Sequence, residues 1–569
     1  MKTTTSNPTA KNPFRAGSFS YAALITLTAF AIAGTAQTSA DTHTWTGGID
    51  GDWNDAGNWD NGIPVNFDNL IFSGTSNTAT NNDIGGSFSN IQFSNTTAGQ
   101  SFSLGGNDMN LYGTVSTADV VGGGTIEDTI SLRLRTTAGT RTFNLGTDHN
   151  LTINGQIFGP QGIIKSGDGK LTLSAANIYG GSTTVNGGTL AIAVGGTISE
   201  SNAIVINDTG TLRFGRNDTW GNATTDTSSS ITVNAGGTME SGGYFNTIRD
   251  LNLNGGTVAM TGGVNATYPA LALKGTVTVG GSQASQINTI SGSNNMISIG
   301  DGNLGATVFD VADSTSDASA DLTVNTVLQN NGPVGGNSLT KTGAGTMELT
   351  ATNTYTGSTT VSAGTLSLAS SYTHSGSGAY IVNGGTLKIA DGVNLGSHAM
   401  TISLGGVISP GNSPGTATVG TQNWGDGGSY LWEINNSGGF KGSDPGWDWL
   451  SITGDLNLGS LSASQFTIDI TSLDLSNNSG LAAGFDYTGL AYGDLFDSFT
   501  IATTSGDIND FSSSLFSLND SAFVNSKWDW QIRQDGKDLV LDAIFVPEPS
   551  STALLGLGLS SLLLRRKRS

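Results

Sequence analysis

Cysteine is missing from this sequence of 569 residues. The chain therefore forms no disulfide bond, carries no thiolate metal site and has no N-terminal cysteine to acylate, so it is not a lipoprotein. Charge is also scarce, because only 12% of residues are charged and acidic residues outnumber basic ones by 44 to 22. The net charge of -22 leaves no basic face for a phosphate backbone, so we expect no nucleic-acid partner.

Motifs of common enzymes are missing too. The four histidines, His43, His149, His374 and His398, are widely spaced and form no HExxH pair. No phosphate-binding loop occurs. The arginines of "LRLRTTAGTR" have the two-residue period of a solvated strand face. We predict no catalytic residue, no metal site and no cofactor. A site assembled from single residues on distant segments stays open as the enzymatic alternative.

Glycine is abundant, with 83 residues, roughly twice ordinary usage. Ser, Thr, Asn and aliphatic residues make up much of the rest, and the Glu, Lys and Arg-rich stretches of surface helices are not found. Alternating apolar and polar residues between glycine-rich turns predict many short strands, and therefore an all-β fold.

The N-terminus has the layout of a secretory signal. Lys2, Lys11 and Arg15 precede an apolar stretch from Tyr21 to Ala33 that is too short for a comfortable membrane span. Small residues suited to cleavage follow, so we assign residues 1–40 to a signal peptide. No arginine pair precedes the apolar stretch, which favours the general secretory route.

Two segments of the chain are copies of each other. "KSGDGKLTLSAANIYGGSTTVNGGTLAI" (Lys165–Ile192) aligns without a gap to "KTGAGTMELTATNTYTGSTTVSAGTLSL" (Lys341–Leu368). Each copy reads as three short strands separated by turns, with weaker echoes such as "LNLNGGTVAM" and "YIVNGGTLKIA". A unit this thin cannot bury its own apolar side, so the units must stack. The sequence therefore predicts a parallel β-solenoid over residues 121–424, with Leu171, Leu173, Val185, Leu190 and their copies pointing inward.

These copies resemble the autotransporter-associated β-strand repeat, whose family fold is a right-handed parallel β-helix. The stretch "GGVISPGNSPGTATVG" (Gly405–Gly420) is similar to the segment that closes such arrays. The chain departs from true autotransporters because no translocator barrel follows the repeats, which puts self-translocation in doubt.

The segment 41–120 is rich in tryptophan, in "TWTGGIDGDWNDAGNWDNGIPVNFDNLIFSG" (Thr44–Gly74). We interpret it as an N-terminal cap over the first solenoid turn. Two alternatives are a Ca²⁺ site built from Asp50, Asp52, Asn54, Asp55 and Asp60, and tryptophans that stack on sugar rings. An EF-hand register fails, since Asp55 stands where Gly is needed.

The sequence pattern changes in residues 425–545, where the predicted strands are longer and aromatic residues are more frequent. We predict a separate antiparallel β module there. The two "WDW" motifs, at Trp447–Trp449 and Trp528–Trp530, place paired indoles on one strand face, which favours the core over a sugar site.

The chain ends in "VPEPSSTALLGLGLSSLLLRRKRS" (Val546–Ser569). Pro547 and Pro549 keep the segment around Glu548 extended. The apolar run Thr552–Leu564, about 13 residues, would reach roughly 20 Å as a helix against roughly 30 Å of bilayer hydrocarbon. The basic stop Arg565, Arg566, Lys567 and Arg568 fixes its orientation with the body outside.

This tail resembles the PEP-CTERM sorting signal. The resemblance implies recognition of Pro547, Glu548 and Pro549 by exosortase, a membrane protease-transpeptidase of bacteria that make extracellular polysaccharide. It also implies that the inner membrane holds residues 546–569 only transiently.

The sequence thus predicts an all-β protein: a right-handed parallel β-helix with an N-terminal cap and a C-terminal antiparallel β module. The expected function is that of a structural protein of the cell surface or extracellular matrix, sorted through its tail, with extracellular polysaccharide as a candidate partner. The alternatives are a polysaccharide-degrading β-helix enzyme and a sugar-binding adhesin.

Overall fold

The computed structural model describes residues 40–198, 203–219, 230–263, 265, 269–300, 305–332, 335–525 and 527–546. Nearly all of the signal peptide and the tail beyond Val546 lie outside these ranges. The described residues form strands and turns without an α-helix, and two single 3₁₀ turns occur at Ala56–Asn58 and Ser513–Leu515. No helix in the described ranges is long and apolar enough to cross a membrane.

The strands wind into a three-faced coil in which each turn stacks on the one before it. One turn takes roughly twenty residues, as the pairing of Ile163 with Thr183 and of Thr183 with Ile204 shows. Along each strand buried and outward residues alternate, so the apolar side of every strand lines the interior. The predicted β-solenoid is confirmed.

The first face is a continuous parallel sheet of 19 strands. Its strands, in stacking order, are Thr42–Trp45, Asn69–Phe72, Ile91–Phe93, Thr114–Thr117, Arg141–Asn144, Ile163–Ser166, Thr183–Val185, Ile204–Ile206, Ile231–Asn234, Leu251–Asn254, Thr276–Val279, Ala306–Val311, Ser338–Thr342, Thr359–Val361, Tyr380–Val382, Met400–Ile402, Gln422–Trp424, Leu456–Asn457 and Ile508–Asn509.

The second face is a parallel ladder made in the same way. Its strands are Ala79–Asn82, Ser103–Gly106, Ile126–Ile130, His149–Ile153, Lys170–Leu173, Thr189–Ile192, Thr211–Phe214, Thr238–Glu240, Thr257–Met260, Ser285–Thr289, Leu322–Asn325, Thr346–Leu349, Thr365–Leu368, Thr386–Ile389, Val407–Pro410, Ser429–Ile434, Phe466–Ser472 and Phe516–Ala522. The short strands Phe440–Lys441 and Gly446–Trp447 attach beside Ser429–Ile434.

The third face is broken into shorter sheets. The first contains Ser87–Phe88, Met109–Leu111, Leu134–Thr136, Ile157–Gly159 and Ile178–Tyr179; the second Asn246–Ile248, Leu271–Leu273, Met296–Ile299 and Val327–Asn330; the third Thr352–Asn353 and Thr373–His374. The last contains Asn394–Leu395, Thr416–Val419, Trp449–Ile452, Leu495–Thr504, Asp538–Phe545 and Trp528–Asp535. This last sheet mixes parallel with antiparallel pairs.

Side chains repeat along the stack as well as the backbone. Leu171, Leu190 and Leu212 occupy one inward column, and each is fully buried. At a corner beside the first face, Asn207, Asn234 and Asn254 each donate a side-chain amide hydrogen to the asparagine one turn earlier, at 2.8, 2.6 and 2.9 Å. The interior is therefore a column of apolar layers, and its corner is closed by an amide ladder.

The structure extends the stacking beyond the repeat region drawn from the sequence. The first face crosses residue 120 through the pairing of Thr114–Thr117 with Arg141–Asn144, so the tryptophan-rich segment contributes strands of its own. Past residue 424, Ser429–Ile434 pairs in parallel with Phe466–Ser472. The C-terminal β module predicted as antiparallel is thus mixed. Asp538–Phe545 runs antiparallel to both Leu495–Thr504 and Trp528–Asp535, and Gly446–Trp447 pairs antiparallel with Ser429–Ile434.

We expect Leu190→Asp to destabilise the solenoid by more than about 3 kcal/mol, because it places an unpaired carboxylate in a filled apolar column. The matched control is Ala191→Asp, whose side chain points outward beside Arg213 and should change stability little. Urea unfolding of the two variants measures the difference. Equal unfolding midpoints would contradict the inward placement of Leu190.

Candidate functional site

Phe545 and Val546, the last described residues, directly precede the predicted sorting signal, and we call this place the exit point of the tail. The Phe545 amide donates to the Asp494 carbonyl at 2.9 Å, and the Phe545 carbonyl accepts from Gly493 N at the same distance. The next amide, of Val546, donates to the Lys527 carbonyl at 2.7 Å. Three backbone hydrogen bonds therefore hold the last two described residues to the body. The predicted signal residues Pro547, Glu548, Pro549, Arg565, Arg566, Lys567 and Arg568 lie outside the described ranges.

An aromatic cluster supports this exit point from inside. The Phe545 ring lies 5.6 Å from Trp528 and stacks on Tyr487 at 5.5 Å. Trp530 contacts Trp432 at 5.9 Å, which joins the C-terminal hairpin to the solenoid interior. Trp528 and Trp530 are buried and Asp529 is exposed, as the core interpretation of this motif predicts.

The other "WDW" motif is turned the opposite way. Trp447 and Trp449 are half-buried, and their indole N–H groups donate to the Thr500 carbonyl and the Thr503 hydroxyl. Asp448 is the enclosed member, and its carboxyl oxygens accept from the Gly415 and Glu433 amides at 2.7 and 3.0 Å. Burial, and next the charge of Glu433, raises the pKa of Asp448 well above its usual range. This carboxyl group is therefore structural and out of reach of a ligand.

The tryptophans at the other end of the molecule form a lid over the first turn. Trp45, Trp53 and Trp59 are buried and meet edge to face, with Trp59 5.0 Å from Trp45 and 5.7 Å from Trp53. Trp59 also pairs by a backbone bridge with Trp45 in the first strand. Rings enclosed in this way support the cap interpretation and cannot stack on a sugar.

The acidic residues of the same loop hold its own backbone. Asp50 accepts from the Asp52 amide and the Asn58 side chain, at 2.9 and 2.7 Å, and these hydrogen bonds lower its pKa. Asp55 accepts from Gly57 N at 2.9 Å, and Asp60 from Thr44 N at 2.7 Å. Within the described ranges no group of three or more His, Asp or Glu side chains is placed to hold a metal ion.

Two lysines shared by the repeat copies turn out to be enclosed. Lys165 Nζ donates to the carbonyls of Ser166, Gly167 and Gly187, at 2.9, 2.6 and 3.0 Å. Lys341 Nζ makes the same three kinds of contact in its copy. Burial lowers the pKa of both lysines to about 8. Each ammonium thus closes a turn from within, where a surface position would have been the ordinary assumption for lysine.

The aromatic and amide positions of the repeat are internal links too. Tyr179 and Tyr355 are buried, and their hydroxyls pair with Thr183 and Thr359. Asn177 accepts from the Ile157 amide one turn earlier, at 2.8 Å. The positions that are identical in the two copies therefore reflect a shared interior. They do not indicate a row of ligand-binding residues on the outside.

The histidines are buried members of the interior. His43 and His149 each bridge a backbone carbonyl and a carboxylate, Asp68 at 2.9 Å and Asp128 at 2.6 Å. His374 Nε2 lies 2.9 Å from the Tyr355 carbonyl and Nδ1 2.9 Å from the Tyr380 hydroxyl, so the neutral ring donates to the first and accepts from the second. None of these rings faces an open surface.

A shallow groove on the second face is the place where an enzyme site would be expected. Hydroxyl side chains make up about half of its lining, with Lys388 near its middle and Glu348 and Glu433 towards its two ends. These glutamates lie on strands four ladder steps apart, roughly 19 Å at the spacing of neighbouring strands. Glycoside hydrolysis needs a carboxyl pair within roughly 5 to 9.5 Å, so this pair is too far apart.

Comparison with known families agrees with the two resemblances. Residues 163–192 and 339–368 match the passenger-associated-transport-repeat, and residues 545–568 match the PEP-CTERM protein-sorting motif. No curated protein matches the chain. The chain is thus similar to exported surface proteins. The sorting motif implies processing by exosortase, a membrane protease, and indicates export to the cell surface or extracellular space.

We expect Lys165→Met to destabilise the protein by about 2 kcal/mol, because it leaves buried carbonyl oxygens without their donor. Lys170→Met, five residues along the chain on an exposed side chain, is the control and should be close to neutral. Chemical denaturation of both variants tests this. A destabilisation by Lys170→Met as large as that by Lys165→Met would show that the loss does not come from the buried ammonium.

Acid should destabilise the fold through His374. Burial lowers the pKa of His374 from its ordinary 6.5 to about 4, with the stacked His398 ring adding to the shift and the Tyr355 carbonyl opposing it. The unfolded chain therefore binds this proton first, so stability is full above pH 6.5 and falls as the pH drops towards 4.

The matching variant is His374→Gln, which should lose stability less steeply than the wild type over that pH interval. Thr373→Val changes the outward neighbour and should keep the wild-type slope. Melting temperatures measured from pH 7 to pH 4 give the comparison. An unchanged slope in His374→Gln would assign the acid sensitivity to other groups.

Proposed function

We propose that this chain is a structural protein of the cell surface or extracellular matrix, delivered by a tail that is read and then removed. The observation that carries the proposal is the exit point. Backbone hydrogen bonds hold Phe545 and Val546 to the body, and the residues matched to the sorting motif begin at Phe545. The sorting segment thus starts at the last strand of the described body, and the prolines at 547 and 549 favour an extended peptide that a membrane protease can bind.

The body itself supports a structural role. Its repeats use their polar residues internally, in the lysine, tyrosine and asparagine contacts that close each turn. Its outward groove does not supply the carboxyl pair of a glycosidase. What the body presents outward is a long surface of hydroxyl and amide groups with a strongly acidic net charge. Extracellular polysaccharide, whose hydroxyls exchange hydrogen bonds with such groups, is the partner that we propose for that surface.

The tail has the properties of a transient membrane segment. The run Thr552–Leu564, 13 residues that include two glycines, is short for a bilayer, which suits temporary attachment better than permanent anchoring. The basic stop would hold the tail in one orientation and leave Pro547, Glu548 and Pro549 at the outer boundary of the inner membrane.

The mature protein should therefore lack the run from about Thr552 to Ser569. Replacing Glu548, or Pro547 and Pro549 together, with Ala should leave the full-length chain in the inner membrane. Ser550→Ala, beside the motif, is the control and should be processed normally. The intact mass of surface-extracted protein decides the outcome. Recovery of a surface form that still carries Arg565–Ser569 would leave a plain tail anchor in place of sorting.

A further inference from the structure

Three large side chains stand exposed around the exit point of the tail. Tyr492 is 77% exposed, Leu495 is 53% exposed and Tyr487 is 40% exposed. We call these three residues the exit patch. Large apolar side chains exposed around one point of a surface are typical of a contact surface.

The contacts of the structure place the exit patch beside Phe545 and Val546. Tyr487 stacks on the Phe545 ring at 5.5 Å, and Leu495 pairs with Ile544 in the antiparallel ladder. Tyr492 precedes Gly493, whose amide donates to the Phe545 carbonyl at 2.9 Å. The three residues therefore flank the last described residues on two sides, with Tyr487 on the face of Phe545 and Leu495 on the face of Ile544.

The length of chain beyond Val546 limits how far this patch can lie from a membrane. Only residues 547–551 separate Val546 from the apolar run that begins at Thr552. Even fully extended, five residues span at most roughly 18 Å. When the run is held in the bilayer, the exit patch must lie at or close to the lipid headgroups. Tyrosine is a residue typical of that interface, with its ring among lipids and its hydroxyl in water.

Charge around the patch selects the kind of lipid. Asp486, Asp494 and Asp497 lie within the same loop and strand, against Lys527, whose ammonium sits 3.8 Å above the Tyr487 ring. Hydrogen bonds from Thr488 lower the pKa of Asp486 and keep its carboxylate charged. The surroundings of the patch are therefore acidic, and anionic headgroups would repel them.

We propose that the exit patch docks on a zwitterionic lipid surface while the tail is in the membrane, and so presents the sorting motif at a fixed height. This rests on the proposed function, since it needs the tail to enter the bilayer. Docking through a few interfacial side chains is weak by itself and reversible. The body would accordingly leave the membrane once the tail is cut.

The chain lacks cysteine, so one introduced cysteine can carry a spin label without interference. Ala491→Cys places the label next to Tyr492 and keeps all three patch residues. Ala98→Cys, also at an exposed alanine but in the N-terminal part of the solenoid, is the matched control. The full chain, produced without the sorting protease, is bound to phosphatidylcholine vesicles. Collisions of each label with oxygen and with a water-soluble nickel complex are then measured.

We expect the label at 491 to collide with the nickel complex several-fold less than the label at 98, and with oxygen more. Adding Tyr492→Ser and Leu495→Ser to Ala491→Cys should remove the difference. Phosphatidylglycerol in the vesicles should leave the protection equal or reduce it. Stronger protection on the anionic vesicles would overturn the assignment to a zwitterionic surface.

Vesicle flotation separates this inference from the proposed function. If the chain floats with the vesicles and the label at 491 is as accessible as the one at 98, docking is wrong while membrane attachment of the tail stands. If the chain does not float, the attachment itself fails, and docking fails with it. Protection of the label at 491 without vesicles would show that another protein segment covers the patch, and would overturn the lipid assignment.

Discussion

Hydrogen bonding between successive turns is the interaction on which this structure depends. Every strand of the first face pairs in parallel with its neighbours in the stack, through 19 strands. Because each turn contacts only the turns beside it, stability accumulates locally, and a defect in one turn acts mainly on its neighbours. The apolar columns and the asparagine ladder follow from this register, since equivalent positions come to lie above one another only when the backbone pairs in phase.

Much of the interior could be predicted from the sequence, because apolar and polar residues alternate in the same way in each copy of the repeat. Leu171, Leu173, Val185 and Leu190 are all buried, as the alternating pattern requires. The extent of the stack could not be predicted in the same way. The first two strands, Thr42–Trp45 and Asn69–Phe72, are separated by the long tryptophan-rich loop, which hides the period. Past residue 424 the strands lengthen and resemble antiparallel ones, although Ser429–Ile434 still pairs in parallel.

The candidate site, too, could be predicted from the sequence only in part. The sorting motif is linear, so its order of prolines, apolar run and basic residues is visible in the sequence without any knowledge of the fold. The exit patch is made by tertiary structure, because the exposure of Tyr492 and Leu495 depends on how a loop and a hairpin pack around Phe545. The buried lysines show a further limit. Lysine at a repeat position is read as a surface residue, and only the fold shows Lys165 closing a turn from within.

The aromatic clusters at the two ends have a consequence for size. Trp59 lies across the first strand, and the hairpin bearing Trp528 and Trp530 packs over the last turns. A stack finished in this way does not offer a bare edge on which further turns could be added. The length of the solenoid is then fixed by the number of turns that its sequence contains. The 18 spacings between the 19 strands of the first face correspond to roughly 85 Å. Insertion or deletion of whole turns would lengthen or shorten it in increments of one strand spacing.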